Sequence, residues 1–584
     1  MGSTPREAGP YFAQRSRRDS EDRETSEKER SRSFVVGIHP TMWPQNYVPL
    51  AASLPLSTLV AAIPIFVLLI LLGVARKPAW ISALSGLIAA CLIAVFEYGM
   101  PVRNLVGAVS YGAAYGLFPI GWIVFGAILL YRVTLETGKF DIIKNSVAHL
   151  TTDRRMQALL IAFAFGAFIE GASGFGTPIA VAAAMLAGLG FSPFYAAGIC
   201  LVANTAPVAF GSIGIPIITL ASTTGLPLDR LSAGVGRICA PVSLFIPAYL
   251  ILVMGGWKAL KGVLPGAVVC GVAFATTQFV VSNFVGVQLT DILASLVAMS
   301  CLVILLKVWK PADVFSLGDE HAGEPQAVVP RYAAGDLLLA WGPYILLVIF
   351  VLLWGLKPVQ AQLNRVNVMI PWPWLHNEIQ RMPPVVVRPS GYAAIFNLNW
   401  LSAAGTSCLF AAISAAILLR MSLRKFAEVF AHTVKQLALA ELTMAAVLAI
   451  AFLMNYSGAT GTLGLAFAAT GASFPFFSAL LGWLGVFLTG SDTSSNALFG
   501  SLQVVTATRL GMNPVLMAAA NSSGGVMGKM VSLASIAVAA AATNMKREDE
   551  AKLFRFTIRH SVFLASVIGI VVLFYAYVAP SLAP

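Results

Sequence analysis

Two stretches of this chain place polar and ionisable residues inside otherwise apolar sequence. The first reads Phe168-Ile-Glu-Gly-Ala-Ser-Gly-Phe-Gly-Thr-Pro178, followed by Gly190-Phe-Ser-Pro193 and Asn204-Thr-Ala-Pro207. The second reads Phe487-Leu-Thr-Gly-Ser-Asp-Thr-Ser-Ser-Asn496, followed by Gly511-Met-Asn-Pro514 and Asn521-Ser-Ser-Gly-Gly525. Gly, Pro and hydroxyl residues at this density interrupt helices. An interrupted helix in hydrocarbon leaves N–H and C=O groups that need partners, so such breaks persist where they line a cavity. A helix that starts there aims unpaired N–H groups at the cavity and attracts an anion. Ser491, Thr493, Ser494, Ser495 and Asn496 add donors suited to a carboxylate with a hydroxyl beside it. The other break supplies Ser173, Gly174, Gly176, Thr177, Asn204 and Thr205.

Ionisable residues inside apolar segments are rare and mark function by default. Glu170 and Asp492 hold nearly equivalent places at the two breaks, and burial favours the neutral form of a carboxylic acid. Both are expected to be proton-coupling groups. Arg237, Lys529 and Asn521 complete the expected substrate contacts, and Glu441 is a weaker coupling candidate in its span. No metal or cofactor is expected: the breaks hold no His or Cys, and the six cysteines sit apart in apolar stretches. No Gly-Lys-Ser/Thr follows the glycine run, so nucleotide-driven transport is not expected either.

The elements that position these residues are membrane spans. The chain has 584 residues, is 58% hydrophobic and only 11% charged, which excludes a soluble enzyme and a disordered chain. Its net charge of +12 is assigned to loops that orient spans and not to nucleic-acid binding. Apolar windows long enough for a ~30 Å layer at 1.5 Å per residue lie at 54–74, 80–98, 114–131, 234–256, 263–282, 286–306, 337–356, 399–419, 436–455 and 560–578. With the broken regions 156–222 and 474–545, the expected fold is an all-α polytopic membrane protein of about 12–14 transmembrane helices. Three spans precede each broken region, and loop Lys/Arg residues place the two trios in opposite directions. An inverted-topology repeat with broken or re-entrant helices near the midplane follows, as in many secondary carriers.

The expected organisation runs from a disordered, charged tail (1–46) to a first repeat with two extra helices (47–306). A cytoplasmic linker (307–336) and a second, inverted repeat (337–584) follow, the latter with an outer loop at 357–398. The tail holds eight Lys/Arg and seven Asp/Glu, a polyampholyte composition. Loop charge also places both termini outside.

At the broken regions the chain resembles the lactate permease family. The resemblance rests on Glu170–Pro178, Ala203–Gly211 with Gly214-Ile-Pro216, Gly482–Phe499, Gly524–Lys529 and Phe554–Ser561, and covers roughly residues 45–580. It implies a proton symporter of lactate or glycolate in the plasma (inner) membrane, with an all-helical inverted repeat. The partners are then lactate or glycolate, protons and the lipid bilayer. The chain departs from the family pattern in its long tail, in residues 311–330 and in Glu441. A sodium-coupled carrier of di- or tricarboxylates is the nearest alternative, and a non-transporting receptor or scaffold a more distant one.

Overall fold

The computed structural model describes residues 42–584 except 149, 175, 314 and 316–331. Most of the expected tail and the middle of the expected linker lie outside the described residues.

The first half contains α1 (Leu54–Val74), α2 (Ala79–Phe96), α3 (Val102–Glu136), α4 (Lys139–Ala148) and α5 (Arg154–Ala172). It continues with α6 (Thr177–Gly188), α7 (Pro193–Ala203), α8 (Gly211–Thr224), α9 (Leu228–Phe284) and α10 (Thr290–Val308). The second half contains α11 (Ala334–Gly355), α12 (Ala404–Leu418), α13 (Leu423–Ser457), α14 (Ala459–Phe467) and α15 (Phe474–Thr489). It closes with α16 (Asp492–Arg509), α17 (Pro514–Gly528), α18 (Leu533–Ala542) and α19 (Arg547–Leu573).

Local chemistry sets the helix starts. Asp153 accepts from the backbone N–H groups of Arg155 and Met156, Ser491 from Ser494, Asn513 from Val515 and Leu516, and Ser532 from Ser535. Each side chain satisfies an N–H that the helix itself leaves unpaired. Pro193 and Pro514 open α7 and α17, where a missing N–H costs nothing.

Among the described residues, ten helices are long and apolar enough to cross a membrane, and two further pairs, α7 with α8 and α17 with α18, are bent by 66° and 45°. One of the ten, α9, is two spans. The chain reverses at Gly255 and Gly256, whose φ values are −150° and 69°. Ser232 then donates to the carbonyl of Ser282 at 2.8 Å, so the two arms of α9 run antiparallel.

The halves pack as counterparts. α2 lies on α1 and α13, and α12 lies on α11 and α3; α14 packs on α1 as α4 packs on α11. The central pair, α3 and α13, runs antiparallel: Gly112 meets Leu448 and Ala449, Gly116 meets Ala445, and Lys425 pairs with Glu136 at 2.9 Å. Exchanged contacts with opposed central helices are the geometry of an inverted repeat.

Among the described residues, five two- to four-residue strands lie outside the helices: β1 (Trp43–Pro44), β2 (Val368–Pro371), β3 (Ile379–Arg381), β4 (Ser390–Gly391) and β5 (Ile395–Leu398). β1 pairs with β3 and β3 with β4, while β2 pairs with β5. Backbone this rich in Pro cannot continue a helix, so it folds into a cap on one end of α3, where Asn104 donates to the carbonyl of Trp374 at 2.9 Å. Gln45 is buried under this cap and donates to the carbonyls of Asn455 and Tyr456, both at 2.8 Å. Residues 43–47 are therefore part of the packed structure and not of the tail.

At the other end of α3 the basic loops meet. Arg155 is fully buried and pairs with Asp153 at 2.7 Å and Asp313 at 2.8 Å. The Arg155 guanidinium holds the exposed Asp313 carboxyl below the usual carboxylate range by direct hydrogen bonding.

Candidate functional site

Four breaks converge between the halves. α5 gives way at Ser173–Gly176 to α6, and α7 gives way at Asn204–Pro207 to a short turn and α8. In the second half α15 gives way at Gly490–Ser491 to α16, and α17 at Lys529–Ser532 to α18. The α8 break is the most distorted. Ser212, Ile213 and Gly214 have φ of 48°, 59° and 78°. Left-handed backbone at a β-branched residue is strained and persists only where its surroundings impose it.

The breaks enclose a cavity of about 210 Å³. Its polar wall is Glu170, Ser212, Ser491, Asp492, Thr493, Lys529 and Ser535, with Gly176 and Gly490 at backbone level and Val208, Ile215 and Val538 on the apolar side. Glu170 and Asp492 are 4% and 3% exposed. Lys529 donates to the carbonyl of Gly490 at 2.7 Å, which closes the second-half breaks on each other. Its ammonium is within electrostatic reach of both carboxyls. Oε2 of Glu170 and Oδ1 of Asp492 have no hydrogen-bond partner. Oδ2 of Asp492 accepts from Ser522 at 2.6 Å and from Asn496 at 3.3 Å.

A second cavity of about 810 Å³ adjoins the first, sharing Gly490 and Ala534. Arg76, Lys77 and Arg555 edge it beside Glu550, so it opens toward basic loops.

The expected site residues divide by where their side chains go. Glu170, Gly176, Ser491, Asp492, Thr493 and Lys529 line the cavity. Ser173, Gly174, Thr177, Asn204 and Thr205 lie at or beside the first-half breaks without lining it. Ser173 donates to the carbonyl of Ile169 and Thr205 to that of Val202, and Gly174 lies against Ser212. Asn204 is buried with its Nδ2 unpartnered. The N–H of Ser494 serves the Ser491 cap, and Ser495 donates to the carbonyl of Gly482. Asn496 donates to the carbonyl of Pro216 at 3.1 Å and accepts from Asn521 at 2.9 Å. Gln503 joins that chain at Asn521, at 3.0 Å. These two asparagines thus brace helices behind the cavity. Asn521 lies inside α17, so the counterpart of the Asn204 break is Lys529–Ser532. Arg237 is not brought to the cavity. It donates to Asn283 at 2.9 Å and to the carbonyl of Leu582 at 2.8 Å. Glu441 is also elsewhere, against Gly121 where α3 crosses α13.

Ser212 and Ser535 escaped sequence reasoning. The Gly214-Ile-Pro216 pattern signals the first, because Gly and Pro mark the unwound turn beside it. Ser535 carries no such signal. It sits in the first turn of an alanine-rich helix.

Residues 57–579 match the family described as L-lactate permease. The chain is 43% identical over 551 residues to the L-lactate permease of Salmonella typhimurium, across 93% of this chain and 100% of the relative. It is 45% identical over 554 residues to the glycolate permease GlcA of Escherichia coli, across 92% and 98%. Among solved structures it resembles Neisseria gonorrhoeae MtrF, described within a class of antimetabolite efflux pumps. The TM-score is 0.50 at 12% identity, over 87% of this chain and 97% of that one. That likeness concerns fold alone. With spans throughout and full-length permease relatives, the protein is an integral protein of the plasma membrane, and the chain belongs to the L-lactate permease family.

Proposed function

We propose that the protein carries lactate or glycolate across the membrane together with a proton. The observation that carries this reading is the charge of the cavity: one ammonium, Lys529, beside two carboxyls, Glu170 and Asp492. With both carboxyls ionised the wall is net negative and repels an anion. One bound proton makes it neutral, and a second makes it positive. Proton binding and anion binding are thereby linked, each strengthening the other. Lys529 and the start of α16 at Ser491 and Thr493 take the carboxylate, and Ser212 or Ser535 the 2-hydroxyl. Glu170 carries the proton, with Asp492 second. Ser173, Gly174, Thr177, Asn204, Thr205 and Ser494 shape the breaks, and Ser495, Asn496 and Asn521 hold the wall from behind. A cavity of about 210 Å³ has room for a molecule of lactate's size. The glycolate and lactate names of the relatives support the same substrate class.

The test is uptake of labelled lactate into proteoliposomes with and without an imposed pH gradient. Wild type should accumulate lactate when the gradient is present and should not require sodium. Glu170→Gln keeps the size of a protonated Glu but releases no proton. It should still exchange lactate across the membrane and lose accumulation. Wild-type uptake that follows sodium and ignores the pH gradient would refute proton symport. Wild-type accumulation in Glu170→Gln would pass the proton role to Asp492.

A further inference from the structure

A third buried carboxyl lies near Glu170 and does not line the cavity. Asp291, in the first turn of α10, is 1% exposed. Neither of its oxygens has a hydrogen-bond partner. α10 packs directly on α5 beside Glu170 because the next residue along α5 is Gly171: a Cβ there would stand 2.9 Å from Cβ of Asp291 and 3.0 Å from the backbone N of Ile292. Any side chain at 171 would force the two helices apart.

A capping role does not account for it. An aspartate in the first turn of a helix ordinarily accepts N–H bonds from that turn or answers its dipole, and Asp291 accepts none. A bare carboxylate inside a membrane protein is costly, so a carboxyl so placed holds a proton unless a neighbour takes it. The elements packed on α10 present few candidates. Glu170 on α5 is the charged group that acts on it, and Cys239 on α9 lies within electrostatic reach. Cys270 on α9 faces Cys301, farther along α10, and Tyr344 on α11 pairs with Thr134. Unlike Asp291, Glu170 also faces Lys529 across the cavity and lies beside the amide of Asn204.

We propose that Asp291 is a proton-relay residue that works through Glu170, handing it a proton while the cavity holds substrate and taking one back when the cavity is empty. The proton leaves the Asp291 hydroxyl oxygen as its O–H bond breaks and bonds to a carboxylate oxygen of Glu170. Asp291 is reloaded through Glu170, which lines the empty cavity, takes a proton from solvent there and passes it back as its own O–H bond breaks and that of Asp291 forms. A bound anion in the cavity then does not block protonation of Glu170. This rests on the proton-symport reading above.

The experiment uses full-length Asp291→Asn beside wild type and Glu170→Gln in proteoliposomes, reading lactate counterflow and pH-driven accumulation separately. Asp291→Asn is expected to keep counterflow within about two-fold and to lose initial pH-driven accumulation rate by roughly ten-fold or more. A purely structural aspartate would lower both together, and that result overturns the proposal, as does wild-type accumulation. If Asp291→Asn does not reach the membrane, Asp291→Glu replaces it. Its pH profile of accumulation should shift from that of wild type, and an unchanged profile overturns the relay. Wild-type vesicles separate the two failures. If they ignore the pH gradient, the symport reading itself falls, whereas a working wild type with an unaffected Asp291→Asn removes the relay alone.

Discussion

Asn496 and Lys529 show how residues of one polar set divide their work. In sequence, Ser491 to Asn496 reads as a single run of donors. A helix turns about 100° per residue, so the run cannot face one way. Its first three residues line the cavity, while Ser495 and Asn496 turn toward α15 and the polar chain to α17. Asn496→Ala strips partners from the Pro216 carbonyl, Ser522 and Asn521. Buried groups left unpaired cost about 1–3 kcal/mol each, so thermal unfolding in detergent should show a melting point lower by several degrees, with lactate binding weakened as a consequence. Lys529→Gln should do the reverse. The melting point should stay close to wild type, while direct binding of labelled lactate should weaken roughly ten-fold or more, as expected for a lost charged hydrogen bond. If Asn496→Ala instead keeps its stability and loses only affinity, its side chain belongs to the substrate site.

At the scale of elements, the site depends on helices that touch backbone to backbone. A Cβ on Gly482 would stand 1.9 Å from the Asn521 carbonyl oxygen, and one on Gly524 2.0 Å from that of Ala479. These glycines let α15 and α17 meet without side chains between them, the close packing that membrane helices use in place of hydrophobic driving force. Gly188, at the end of α6, has nothing within 4 Å of its Cβ position. Gly482→Ala should therefore reduce the folded, monodisperse yield several-fold in size-exclusion chromatography. Gly188→Ala should be neutral or stabilising by about 0.5–1 kcal/mol, since Ala is the better helix former. Equal yields for both variants would mean that α15 and α17 can move apart without loss. Both glycines stand in the sequence with nothing to tell them apart. Only the facing helix distinguishes them.

For the molecule as a whole, the charged loops and the aromatic cap lie at opposite ends of α3: Glu136 meets Lys425 at one end and Asn104 meets Trp374 at the other. Positive charge collects on the cytoplasmic face of membrane proteins. Single cysteines placed at 425 and 374 in a chain otherwise free of reactive thiols should therefore label from opposite sides. Impermeant reagent applied to intact cells should reach position 374 and should reach 425 only after the membrane is opened. Labelling of both from one side would break the inverted arrangement. The same antiparallel pairing of α3 with α13 places the N-terminal strand β1 on the cap, since Trp43 pairs there with Ile379. Labelling of position 374 from outside would therefore put the start of the packed chain on the outer face as well.

Composition and hydropathy alone determined that the chain spans a membrane, because sequence this apolar has no other stable solvent. Breaker residues located the interrupted helices, and the repeated order of motifs exposed the two halves. Glu170 and Asp492 stood out because a carboxyl in an apolar run is costly wherever its helix packs. Periodicity could not say which face of each broken helix meets the other half, since both faces are apolar or small. Tertiary structure decided that: it turned Asn496 and Asn521 inward as braces, sent Arg237 to the chain's C-terminal end, and added Ser212 and Ser535 to the wall. It also set Asp291 against Gly171, beside Glu170 and 120 residues away along the chain, through a contact that no local pattern encodes because it depends on the absence of a side chain at Gly171.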